Sequence, residues 1–88
     1  MQITNIIIED KVKEKILSKH NVEAREIKTA LLSKPLVLKS RDGTYIAIGK
    51  AVRYITVVFT QQRNMTNIIT GYPSSEAQMR LYKRKKGQ

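Results

Sequence analysis

There is no cysteine and no tryptophan in this chain of 88 residues, and histidine, proline and glycine number only one, two and four. Each shortage removes a class of chemistry. Without thiols there is no disulfide framework, no thiolate zinc site and no cysteine nucleophile, and a reducing cytoplasm is the natural compartment. The single histidine, His20, leaves no pair for a zinc ion, and no Ser-His-Asp constellation is recognisable. The glycines form no phosphate-binding motif, which disfavours a nucleotide hydrolase. Acids are scarce as well. Seven Asp and Glu lie mainly among lysines in the first half, where i,i+4 pairing explains them better than the convergent carboxylates of a metal-dependent nuclease. Neither a metal site nor a cofactor is expected. No apolar run approaches the roughly 18 residues of a membrane helix, and "MQITNIIIED" lacks the basic start of a secretory signal. A soluble cytoplasmic protein without a membrane partner is the expectation.

What the chain has in excess is positive charge. Seventeen Lys and Arg against seven acids give a net charge of +10. Residues 1–44 carry a net +3 and residues 45–88 a net +7, with Glu76 the only acid of the second half. So lopsided a charge points first to nucleic acid, and after that to an anionic membrane or an acidic protein. The length allows one domain with one modest core, hence one binding face.

"QITNIII" is short and β-branched and reads as a strand. Asp10 is placed to cap a helix with Val12, Ile16 and Leu17 on one stripe, and Asn21 suits the left-handed position past its end. Ala24, Ile27 and Leu31 mark a second helix, which must stop near Ser33 because Pro35 forces its predecessor out of the helical region. The period then changes to alternation. "PLVLKS" and "YIAIGK" flank a tight Asp42-Gly43 turn. "YITVVFT" is apolar on both faces, as a central strand is. "QQRN" turns, "MTNIIT" is a further strand, and the three strands over 44–50, 53–60 and 65–70 form an antiparallel meander. Ser75 and Gln78 have the form of a capping box opening a last helix, followed by the basic tail 85–88. The sum is an α+β domain, a mostly antiparallel sheet with two N-terminal helices and one C-terminal helix.

Metal-free cleavage of RNA is compatible with this inventory. The substrate's own 2′-hydroxyl is the nucleophile there, so the protein must supply only a base, cations for the charge gathering on phosphate, and an acid for the leaving oxygen. DNA, lacking that hydroxyl, can bind the same surface uncut.

"IEDKVKEKILSKHNVEAREIKTALL", "RDGTYIAIGK", "YITVVFT" and "NIITGYPSSEAQMRLYKR" follow in order a pattern that resembles the BrnT toxins of bacterial type II toxin-antitoxin systems. Those have Asp-x-x-Lys at the start of the first helix, a Lys-His-Gly-Val joint, an Ala-Ile-Gly strand, a Val-Val-Phe strand and a last helix ending in Glu-Arg-Arg-x-Tyr. The similarity spans roughly residues 8 to 84 and makes 1–84 a single toxin-like domain. It implies a RelE-like fold and a ribonuclease that inhibits translation. It also implies a cognate, DNA-binding, BrnA-like antitoxin that neutralises the toxin in a hetero-oligomer. Among the departures from the pattern, three bear on the joint and on the site. Asn21 replaces the joint glycine, Tyr72 stands where an arginine often ends the last strand, and Gln78 replaces the glutamate of the terminal motif, while Arg80 and Tyr82 are kept. The loss of a cation at Tyr72 and of a carboxylate at Gln78 opens the alternative of a catalytically weakened nucleic-acid-binding module.

His20, Arg80 and Tyr82 are therefore the candidate catalytic residues. For His20 the competing reading is a favourable contact with the negative end of the first helix's macrodipole; for Tyr82 it is packing of the ring on the sheet. Candidate nucleic-acid contacts are Lys19, Arg41, Lys50, Arg53, Lys83, Arg84, Lys85 and Lys86, for which the competing reading is a solvated surface charge.

Overall fold

Along the strand that begins at Tyr54, Ile55, Val57 and Phe59 alternate with Thr56 and Val58, and this alternation divides the molecule into two faces. The computed structural model describes residues 3–86. In it the elements run β1 (Ile6–Ile7), α1 (Asp10–His20), α2 (Ala24–Leu32), β2 (Leu36–Lys39), β3 (Thr44–Lys50), β4 (Tyr54–Gln62), β5 (Met65–Pro73) and α3 (Glu76–Lys86). The sheet order is β1-β5-β4-β3-β2, so β4 is central, as its two apolar faces require. The β2, β3, β4 and β5 pairs are antiparallel, and β1 joins β5 in parallel at the edge, which makes the sheet mixed.

Ile55, Val57 and Phe59 are fully buried and meet Ile16, Ile27, Ala30 and Leu31 of the N-terminal helices and Val22 of the joint between them. This is the main core, and burying such side chains contributes about 1.5–3 kcal/mol each. The helix α2 lies directly on β3: a Cβ at Gly49 would run into the carbonyl of Ala30. Tyr54, Thr56 and Tyr72 point to the opposite face, where α3 is laid. Ile48, also on that face, is buried beneath it.

The local signals hold at most joints. Asn21 sits at φ 55°, ψ 40° and donates its N–H to Leu17. Asp42 and Gly43 both have positive φ, 56° and 75°, and Thr44 closes the turn onto the Arg41 carbonyl. The helix α2 stops at Ser33, and Lys34, before Pro35, takes φ 58°. Four expectations change. Glu9, not Asp10, is the N-cap of α1, with no side-chain capping bond, and Asp10 falls in the first turn. The first strand shrinks to Ile6–Ile7 because Asn5 at φ 49° breaks the extended run, and Gln2 lies outside the described residues. Both β4 and β5 run longer, so that the turn falls on Arg63 and Asn64. Lastly, α3 continues through Lys85 and Lys86, while Gly87 and Gln88 lie outside the described residues.

Candidate nucleic-acid interface

The site is built where α3 crosses the sheet. Its N-terminus is fixed by the expected capping box: Gln78 N–H donates to Ser75 Oγ at 3.1 Å, and Ser75 N–H donates to Gln78 Oε1 at 2.9 Å. Having turned back to its own helix start, the Gln78 amide also reaches the sheet. Thr56 Oγ1 donates to Oε1 at 3.0 Å, and Nε2 donates to the Tyr72 hydroxyl at 3.2 Å. Thr56 has no exposed surface and lies 2.7 Å from Ser74 Oγ. Since its one proton goes to Gln78, Ser74 is the donor in that contact.

One turn along α3 from Gln78, Tyr82 meets Tyr54 edge to face, with ring centroids 5.2 Å apart and planes at 64°. Two ammonium groups converge on the same Tyr54 ring, Lys50 at 5.3 Å from the centroid and Lys83 at 5.9 Å. Tyr54 and Lys50 are cross-strand partners, as are Thr56 and Tyr72, so both groups share one sheet face. His20 reaches this face from the end of α1, its ring centroid 5.8 Å from that of Tyr72. Such an approach is open because β1 pairs only with Thr66 and Asn67, leaving β5 the outermost strand beside Tyr72.

Thus three of the sequence candidates, Lys50, Tyr82 and Lys83, come together around Tyr54. His20 joins the same face through Tyr72, with exposed Lys19 beside it. Arg80 does not converge with them. It lies two residues from both Gln78 and Tyr82, on the outer side of α3, paired with Glu76 at 3.2 Å, and both side chains are more than three-quarters exposed. Arg53 is committed elsewhere: it donates to both carboxylate oxygens of Glu26, at 2.9 and 3.1 Å, and to the Asn21 carbonyl at 2.6 Å. That bond, followed by one from the Glu23 backbone, holds the Glu26 carboxyl below its ordinary pKa, and it raises the guanidinium in turn. Arg41, at the β2–β3 turn, is about 20 Å from Lys50, the length of the seven-residue β3. Arg84, Lys85 and Lys86 are exposed at the end of α3, where Lys85 and Lys86 line a groove with Lys34, Leu36 and Val37. Among the described residues no three His, Asp or Glu side chains gather as a metal cage.

Tyr54 was not among the sequence candidates, and Tyr72 entered only as a departure from a pattern. The available signal was parity: Lys50 on one strand and Tyr54, Thr56 and Tyr72 on the next two share a face, and Gln78 and Tyr82 share a helix stripe.

A small α+β domain carrying an aromatic and cationic cluster where its last helix crosses the sheet is the class defined by this arrangement. No protein-family model matches the sequence, and no curated protein matches it. Among solved structures the chain is similar to the ribonuclease toxin BrnT of Brucella abortus, known from a crystal structure at 1.1 Å resolution. The TM-score is 0.68 and the identity 18%, over 83% of this chain and 100% of that one. At that identity the likeness is one of fold: the chain has the fold of a ribonuclease toxin. No helix among the described residues is long and apolar enough to cross a membrane.

Proposed function

We propose that this protein is a cytoplasmic toxin of BrnT type, an endoribonuclease that needs no metal, inhibits translation and is neutralised by a cognate DNA-binding antitoxin of BrnA type. The observation that carries the reading is the convergence of Lys50, Lys83, Tyr54 and Tyr82 beside His20 and Tyr72 on one face of a toxin-like fold. Tyr54 offers a surface on which a base can stack, and the lysines beside it offer charge to the adjoining phosphates. In this reading His20 takes the proton of the RNA 2′-hydroxyl, Tyr82 supplies a proton to the leaving oxygen, and Arg80 exchanges Glu76 for an RNA phosphate on the outer side of α3. Exchanging an exposed carboxylate for a phosphate costs Arg80 little, since a surface ion pair of this kind is worth about 0–1 kcal/mol. An antitoxin that covers the basic face would block all of these groups together.

The test is incubation of the purified protein with a structured RNA in EDTA, beside His20→Ala and Arg80→Ala. Cleavage is expected to survive EDTA and to slow by about 10²-fold or more in His20→Ala, the scale of an acid/base contribution, and by at least about tenfold in Arg80→Ala, the scale of one hydrogen bond to an ion. RNA that stays intact but is retarded on a gel would make the protein a nucleic-acid-binding module of the same fold.

A further inference from the structure

The direction of the hydrogen bonds around Gln78 fixes where one proton of the site points. The Ser75 backbone N–H can only donate, so the Gln78 atom 2.9 Å from it must be Oε1. A flipped amide would set two donors against each other there, and a third donor, Thr56 Oγ1, faces the same oxygen at 3.0 Å. The amide nitrogen is thereby turned to Tyr72, and the phenol oxygen accepts at 3.2 Å. Having accepted, Tyr72 keeps its own O–H proton for something else. Among the described residues that proton has no acceptor, and the half-buried phenol lies beside the His20 ring on the open side of β5.

The geometry points to Tyr72 as a phosphate-binding residue, an outward hydrogen-bond donor to a non-bridging phosphodiester oxygen of RNA, with Gln78 the residue that positions it. The identification of the ligand as RNA rests on the function proposed above; the direction of the donor does not. A phenol that accepts from an amide is a better donor in turn, because hydrogen bonds in a chain polarise one another, and a bond to an anionic oxygen is the stronger kind. Gln78 thus has two tasks, capping α3 and aiming the phenol. A carboxylate at the same position would still accept from Ser75 and Thr56. Toward Tyr72, however, it has only acceptor capacity, so it would draw the phenol proton inward and leave the phosphate without its donor.

Binding of a fluorescent 2′-O-methyl RNA, which lacks the attacking hydroxyl, separates this inference from the nuclease reading when measured by anisotropy beside cleavage of the unmodified RNA. Tyr72→Phe keeps the ring against His20, and Gln78→Glu keeps the cap. Ala77→Glu, on the exposed neighbouring position, controls for the added charge. Tyr72→Phe is expected to weaken binding by about tenfold, the scale of one hydrogen bond to an ion. Gln78→Glu should match that loss with no further loss in the double variant, while Ala77→Glu stays within about twofold. Binding by Tyr72→Phe equal to wild type would overturn the inference, as would a Gln78→Glu effect no larger than that of Ala77→Glu. Should Gln78→Glu prove unfolded by circular dichroism, Tyr72→Phe alone decides. If wild type leaves unmodified RNA intact yet Tyr72→Phe weakens binding, the nuclease reading falls and the donor stands; if wild type cleaves and Tyr72→Phe binds normally, the reverse holds. No binding by wild type would overturn the inference, and would overturn both if the unmodified RNA also stayed intact.

Discussion

Glu26 ties the start of α2 to the β3–β4 turn. It accepts the backbone N–H of Glu23 at the start of α2 and both donors of Arg53, which comes from the β3–β4 turn and also holds the end of α1 through Asn21. Its folded-state pKa lies below the ordinary 4.5, so the ionised form stabilises the fold above that value. The contribution is lost as pH falls through the folded pKa. Glu26→Gln is expected to lower the melting temperature by a few degrees near neutrality, and the gap to wild type should close on acidification below about pH 4.5. Thermal melts of both proteins across the acid range check this. At the same scale, Asn21→Ala should destabilise by about 1 kcal/mol, since only glycine and asparagine take the left-handed conformation readily. Asn21→Gly should be close to neutral in the same melts. The Asn21 conformation was legible from its neighbours in sequence. Glu26 and Arg53 were not, because nothing local says that residues 27 apart will meet, and Arg53 accordingly read as a free cation.

Elements were legible where their signals are local. The capping box of α3, the Asp42-Gly43 turn and the stop of α2 before Pro35 each follow from two to four adjacent residues, and each is present. What escaped was set at a distance. A parallel pairing of Ile6 and Ile7 with Thr66 and Asn67 has no sequence signature in so short a strand, and the left-handed Asn5 that truncates it is tied to the remote Asn64 carbonyl at 3.0 Å. Nor is the bulge legible that leaves Ile69 unpaired between Ile68, opposite Phe59, and Thr70, opposite Val58. The seat of α2 on β3 is equally non-local. Gly49 passes beneath the Ala30 carbonyl with no room for a methyl group, so Gly49→Ala is expected to cost about 1–3 kcal/mol or more by overpacking. Chemical denaturation with an unchanged slope would show that the loss is one of stability and not of two-state folding.

Across the whole molecule the two faces of the sheet divide the work. The face under α1 and α2 holds the main core; the face under α3 holds Ile48 and Thr56 beneath a surface of tyrosine, histidine and lysine. The charge of the second half was legible in composition alone, whereas its focus on Tyr54 needed the sheet register to bring Lys50 beside it and α3 to bring Lys83. If two or three phosphates are neutralised here, log affinity for single-stranded RNA should fall against log salt with a slope of about −1.4 to −2.1, and Lys83→Ala should remove about 0.7 from its magnitude. Anisotropy titrations at several salt concentrations measure both. The central claim, that RNA is held where α3 crosses the sheet, is tested most directly by titrating isotope-labelled protein with 2′-O-methyl RNA and following each backbone amide by NMR. The account expects the largest shifts at Lys50, Tyr54, Tyr72, Gln78 and Tyr82 together with His20. Shifts confined to the groove at Leu32, Leu36 and Val37, or to the outer side of α2, would contradict it.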